Sequence, residues 1–315
     1  MNLPRSQFQV GDLHVRACRP QGTPRGVVLF VHGATVASVL FDIPVPGYSL
    51  LEACAAAGWW SFACDLGGYA RSTRPAAMQG PATDCPLLCT GEQALADLDR
   101  VVAALRKLTG TRQLALAGGS WGSLTAARYA LRAPDAVERL ILIAPLFATV
   151  NAGWLQTLAD PSEPGRINPK LGGYRFVSRE DLLSRWDPEI PSGEEDQRRD
   201  PAVLEALMRD ELAADPQSPR PDAFRVPNGT LHDLFEVFSG RPLYAPEGIQ
   251  MPCLLIRGAD DQTSTPADAA LLHGRLGARH KRWVTVPRAG HFLQAERTGA
   301  AAVQGAIDEF LHETP

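Results

Sequence analysis

Short apolar runs alternate with amphipathic stretches along most of this chain. Gly26 to Val31 is a continuous, β-branched-rich run that ends at His32-Gly33. Such a run predicts a strand buried on both faces. Trp59 to Cys64, Gln113 to Ala117, Val137 to Ala144, Pro252 to Arg257 and Arg282 to Val286 have the same character. Between them, Leu95, Leu98, Val102 and Leu105 recur at spacings of three and four, which marks one face of a helix. Val303, Ile307, Phe310 and Leu311 repeat that pattern near the C-terminus. Strands alternating with helices predict right-handed crossovers and a mainly parallel sheet, so the fold class is α/β.

One segment breaks the rhythm. Phe147 to Pro246 holds 12 of the 26 prolines. Helical patches remain in it, such as Pro201 to Ala214, which opens with proline where a first helical turn tolerates it. Its aromatic residues need burial, so a folded insertion is expected rather than a free linker. The expected organisation is a core of residues 1–146 and 247–315, interrupted by a helical insertion at 147–246. Pro145, Gly153, Gly240 and Pro242 near its ends permit a hinge.

Composition adds mainly exclusions. The 315 residues are 45% hydrophobic and 21% charged, with a formal net charge of -4. This balance gives no electrostatic footprint for nucleic acid and no polybasic membrane anchor. No apolar run approaches the roughly 18 residues of a membrane span, and Met1 to Gln7 has no apolar signal core. Six cysteines are too few for a disulfide scaffold of this size, and no Cys-x-x-Cys or zinc set occurs. A reduced, cytoplasmic protein without a metal is expected.

The candidate chemistry begins at Leu114 to Ser123, an apolar strand followed by Gly118-Gly119-Ser120-Trp121-Gly122 and then a helix. A strand that turns directly into a helix strains its middle residue and crowds the positions two away, where Gly118 and Gly122 have no side chain. Ser120 would stand above the sheet at a helix N-terminus, which favours an anion. A Rossmann or P-loop reading fails on spacing and on the missing lysine. A serine hydroxyl needs a base. His291 follows the last predicted strand, at the sheet edge where sites of open α/β sheets lie. The orienting acid should follow the preceding strand, where Gly258-Ala259-Asp260-Asp261 offers Asp261, with Asp260 as its rival. The unused carboxylate would bond its own loop. An oxyanion would be held by the backbone N–H groups of Trp121 and Ala34, with Thr35 as the alternative to Ala34. His32 suits a structural role in its turn.

These motifs resemble those of α/β-hydrolase-fold serine hydrolases. The matching pieces are Val31-His32-Gly33, Asp65 to Ser72, Gly118 to Gly122, Gly258 to Asp261 and Gly290-His291-Phe292, in the family's order. The Asp65 loop departs from many relatives in carrying Gly67 and Ala70. The resemblance implies about eight strands, a lid inserted after the sixth, and a pocket between lid and sheet. Within the family it points to the bacterial esterases, macrolide esterases included, on the character of the lid and of Phe41-Asp42-Ile43-Pro44.

The expected function is hydrolysis of a small-molecule ester or lactone through an acyl-enzyme on Ser120, with no cofactor. An acyltransferase, thioesterase or amidase would share the same triad, and a non-catalytic binding module on this fold is the rival from outside enzymology. Trp154, Tyr174, Trp186 and Phe235 are the candidate substrate contacts in the lid.

Overall fold

The computed structural model describes residues 3–313. Its elements run β1 (Arg5–Val10), β2 (Leu13–Cys18), β3 (Gly26–Val31), α1 (Leu50–Ala56), β4 (Trp59–Cys64), α2 (Gly91–Thr109), β5 (Leu114–Gly119), α3 (Trp121–Arg132) and β6 (Val137–Ile143). There follow α4 (Ala152–Leu158), β7 (Tyr174–Ser178), α5 (Arg179–Trp186), α6 (Glu195–Arg198), α7 (Pro201–Ala214), β8 (Ala223–Pro227) and α8 (Gly229–Phe238). The chain ends with β9 (Cys253–Gly258), α9 (Pro266–Arg275), β10 (Lys281–Val286) and α10 (Ala300–His312).

Eight strands form one sheet in the order β1-β2-β4-β3-β5-β6-β9-β10. β1 and β2 join antiparallel, and all pairs from β4 to β10 are parallel. The central strands are apolar on both sides. Val27, Leu29 and Val31 of β3 face one core layer, while Val28 and Phe30 face the other. α2 buries Leu95, Leu98, Val102 and Leu105 against the first layer. α10 buries Val303, Ile307, Phe310 and Leu311 in the second. α2 also opens on a capping box between Thr90 and Gln93, which satisfies N–H groups that a helix start otherwise leaves free.

The β1–β2 hairpin has no apolar run to announce it. Its inner strand carries His14 and Arg16, both buried and both paired: His14 with Asp65 at 2.9 Å, Arg16 with Asp210 at 2.5 Å. A buried charge is tolerable when a partner and hydrogen bonds replace the lost water.

The chain leaves the sheet after β6 and returns at β9. Asp268, on α9, accepts the N–H groups of Phe147, Ala148 and Thr149 where the insertion begins. The insertion is not wholly helical as the sequence predicts. β7 and β8 pair antiparallel within it, from Tyr174↔Pro227 to Ser178↔Ala223. These strands are five residues each, lie far apart in sequence and carry Arg175 and Arg225, so neither reads as a strand alone.

The strand order reverses beside β3. The chain runs from β3 outward to β4, then returns across to β5. The loops after β3 and β5 therefore adjoin at a topological switch point, where open α/β sheets hold their ligands.

Candidate active site

Ser120 sits between β5 and α3 with φ 55° and ψ -123°. This left-handed backbone is costly for a residue with a side chain and is kept only where surrounding structure imposes it. The close approach is visible at the flanking glycines. A Cβ on Gly118 would lie 2.1 Å from the Gly122 carbonyl oxygen, and one on Gly122 would lie 2.3 Å from that of Val31.

The turn aims the Ser120 Oγ at His291, 171 positions downstream. The two meet at 2.8 Å through Nε2. The other ring nitrogen, Nδ1, lies 2.9 Å from Asp261 Oδ2. A carboxylate only accepts, so Nδ1 carries the proton and Nε2 is left to accept from the serine hydroxyl. Asp261 is itself held: its Oδ1 accepts the backbone N–H groups of Thr263 and Ser264, each at 2.8 Å. Burial opposes charge on His291, but the facing Asp261 carboxylate, with Glu189 behind it, more than offsets this and leaves the imidazole pKa above its ordinary value.

Asp260 faces away from the imidazole. It does not bond its own loop through its side chain, as the sequence suggests, but pairs with Arg198 of α6 at 2.7 Å. The Arg198 guanidinium of the insertion, fully buried, takes Asp260 as a second carboxylate partner beside Glu296 and so outcompetes the local turn.

His32 has its two nitrogens committed to backbone. Nδ1–H donates to Gly33 O at 2.8 Å, and Nε2 accepts from Leu66 N–H at 3.1 Å. Burial lowers its pKa and keeps it neutral. It braces the loop after β3. Because Gly33 O points at His32, the trans peptide directs the Ala34 N–H the other way. Ala34 O is fixed in turn by Arg175 Nη2 at 2.7 Å and Tyr69 Oη at 3.0 Å. Trp121 opens α3, so its N–H has no partner within the helix. Ala34 and Thr35 both line the pocket above Ser120.

That pocket is a narrow cavity of about 70 Å³. Its wall is mostly apolar and includes Leu40, Ile143, Leu182, Leu234 and Phe292. Of the four aromatic residues expected to touch substrate, Trp154 lines it. The other three do not. Trp186 is buried on Phe292 and donates through Nε1 to Glu296 at 3.1 Å. Tyr174 stacks edge-on with Phe176 and donates its hydroxyl to Gly80 O at 2.8 Å. Phe235 is buried beneath Arg241, on a separate cleft of the insertion. They form the insertion's own small core and its seam with the sheet domain, as aromatic residues in such segments usually do.

Sequence reasoning missed Glu189. It lies in a short turn after α5, nearly fully buried. Its carboxylate accepts the backbone N–H groups of His291 and Gln262, one from each loop that carries a triad candidate. Burial raises its pKa. Nearby, Glu296 accepts from Arg198, Trp186 and the Gly290 amide. The insertion is thus fastened to the histidine loop by buried polar groups. A Glu after a Pro in a charged stretch carries no sequence signal for this role. Among the described residues, no cluster of three or more His, Cys, Asp or Glu side chains is arranged to hold a metal ion. All six cysteines are free and buried. None of the described helices is long and apolar enough to cross a membrane.

A family model described as "alpha/beta hydrolase fold" matches residues 26–298. The chain belongs to this family of hydrolases. None of the curated proteins compared with it matches in sequence. Among solved structures it is similar to the 2-hydroxy-6-oxo-6-phenylhexa-2,4-dienoate hydrolase from Rhodococcus sp. strain RHA1, with 18% identity, 99% of each chain covered and a TM-score of 0.66. It is also similar to the monoacylglycerol lipase of Paleococcus ferrophilus, at 21% identity over 99% of this chain and 98% of that one, TM-score 0.60. A thioesterase domain from the curacin biosynthetic pathway aligns at 17% identity over 98% of this chain and 99% of the other, TM-score 0.58. At these identities the likeness is one of fold, and the activities named are diverse.

Proposed function

We propose that the protein is a serine-dependent carboxylic ester hydrolase acting on small-molecule esters. The observation that carries this reading is the unbroken hydrogen-bond chain from Ser120 through His291 to Asp261, set at a strained strand–helix turn.

Ser120 Oγ attacks the ester carbonyl while His291 Nε2 takes its proton. Asp261 holds the imidazole in the required tautomer and stabilises the imidazolium that forms. The Trp121 and Ala34 N–H groups stabilise the charge that develops on the carbonyl oxygen, aided by the N-terminus of α3. His291 then protonates the departing alcohol. A water molecule, deprotonated by the same imidazole, cleaves the acyl-enzyme and frees the acid. Each step uses this chain's own groups.

The mostly apolar wall around Ser120 suits the hydrocarbon part of a small-molecule ester. The test is hydrolysis of short p-nitrophenyl esters by purified protein. Ser120→Ala should lower kcat by about five to six orders of magnitude and abolish labelling by a fluorophosphonate probe. Unchanged cleavage by that variant would refute the assignment.

A further inference from the structure

Arg185, in the last turn of α5, lines the pocket that holds Ser120 and His291. No acidic side chain is among the described residues on that wall, and Arg185 is its one lysine or arginine. The guanidinium lies 4.2 Å over the Trp154 ring. One of its nitrogens donates to Thr263 Oγ1 at 3.2 Å, and Trp154 Nε1 donates to the same oxygen at 3.2 Å. A neutral ring and a neutral hydroxyl therefore fix the plane of this cation, and neither carries a counter-charge.

Arg185 keeps solvent-exposed surface, whereas the chain gives its less exposed guanidiniums stronger acceptors. Arg198 meets Glu296 and Asp260, and Arg225 meets Asp215. Arg175 and Arg257 meet backbone carbonyls. Among the described residues, no carboxylate oxygen lies within 4.0 Å of the Arg185 nitrogens. The two carboxylates in its vicinity act on it only through space, since Glu189 accepts from the His291 and Gln262 amides and Asp261 faces His291 and two amides of its own loop. A neutral substrate closing this pocket would strip water from the guanidinium and offer nothing in return, at a cost of desolvation. A carboxylate would accept two of its free N–H groups side by side.

We infer that the pocket is built for esters whose acyl or alcohol part carries a free carboxylate, received by Arg185 while Ser120 attacks the ester carbonyl. This inference rests on the serine-esterase reading above.

The test compares mono-p-nitrophenyl glutarate with p-nitrophenyl valerate, two five-carbon acyl groups that differ in a terminal carboxylate. In the wild-type protein kcat/KM should favour the glutarate ester by at least about tenfold, the scale of one charge-assisted hydrogen-bond pair. Arg185→Met should lower that ratio at least tenfold, and Arg185→Lys should restore part of it. A wild-type ratio near one, or a ratio unmoved by Arg185→Met, overturns the inference. A merely structural role for Arg185 would lower both substrates together in both variants. Calorimetric titration with glutarate reads the same site without turnover. Binding that Arg185→Met weakens at least tenfold supports the inference, and absent binding counts against it. Cleavage that persists in Ser120→Ala sinks the esterase reading itself. Ser120-dependent cleavage without carboxylate preference sinks only the role of Arg185.

Discussion

Asp260 and Asp261 are adjacent in the chain, yet their carboxylates serve different elements. Asp261 holds the His291 imidazole at 2.9 Å, and Asp260 holds the Arg198 guanidinium of the insertion at 2.7 Å. The pair is a built-in control for one another. Asp261→Asn would present an amide NH2 to Nδ1 and favour the wrong tautomer, so kcat should fall about 10³- to 10⁴-fold. Asp260→Asn should change kcat by less than about threefold, because its carboxylate is partly exposed and its pair is screened. Steady-state kinetics on one ester, with thermal melts to confirm folding, separate the two. Equal losses in both variants would contradict the assignment.

His291 must be neutral to act as a base. Burial works against its charge, but Asp261 and Glu189 raise its pKa on balance. The imidazole therefore stays protonated to a higher pH than a free histidine, and activity is lost as pH falls through that raised value. The acidic limb of kcat/KM should lie above about 6.5, the ordinary histidine value. Glu189→Gln removes a negative charge behind the ring, so its limb should move to lower pH. It also leaves a single acceptor for the His291 and Gln262 amides, so kcat should fall by about tenfold with KM little changed. A role in folding alone would reduce active protein without moving the limb.

Glu211 of α7 accepts the Ala37 N–H at 2.7 Å and is almost wholly buried. Burial pushes its pKa up to about 8. The folded chain thus keeps a proton there that the unfolded chain releases near the ordinary carboxylate value. Stability conferred by the neutral acid is full at low pH and declines as pH rises toward about 8. Glu211→Gln keeps an acceptor for Ala37 and removes the titration. Its melting temperature should exceed that of the wild type at pH 8 to 9, with the gap closing toward pH 5. A gap independent of pH would show that Glu211 does not titrate in this window.

The parts of the site that were legible in sequence are those with a local cause. A strand, a turn that admits only glycine at two places, and a helix fall within ten residues, so Ser120 declares itself. His291 and the Asp260–Asp261 pair follow from their places after the last two parallel strands. Which aspartate faces the imidazole depends on side-chain direction, and spacing cannot encode that. β1 and β2 escaped notice because their buried His14 and Arg16 look like surface residues until Asp65 and Asp210 arrive from distant segments. The β7–β8 pair joins strands whose first residues are 49 positions apart by number, 174 and 223. Trp186, Tyr174 and Phe235 were visible as aromatic residues needing burial, but the sequence does not say which surface they cover. Glu189 was invisible because it acts on backbone, which has no residue identity to match.

Glu189 makes the insertion more than a cover. The loops bearing His291 and Asp261 borrow an acceptor from a segment outside the sheet domain, and Arg198 rivets the same segment to Glu296. Modular exchange of such insertions, in a laboratory or by recombination between genes, therefore transplants part of the proton-handling apparatus along with substrate preference. A graft at residues 147–246 that brings no acceptor to the place of Glu189 would inherit the wild-type nucleophile on an unsupported base.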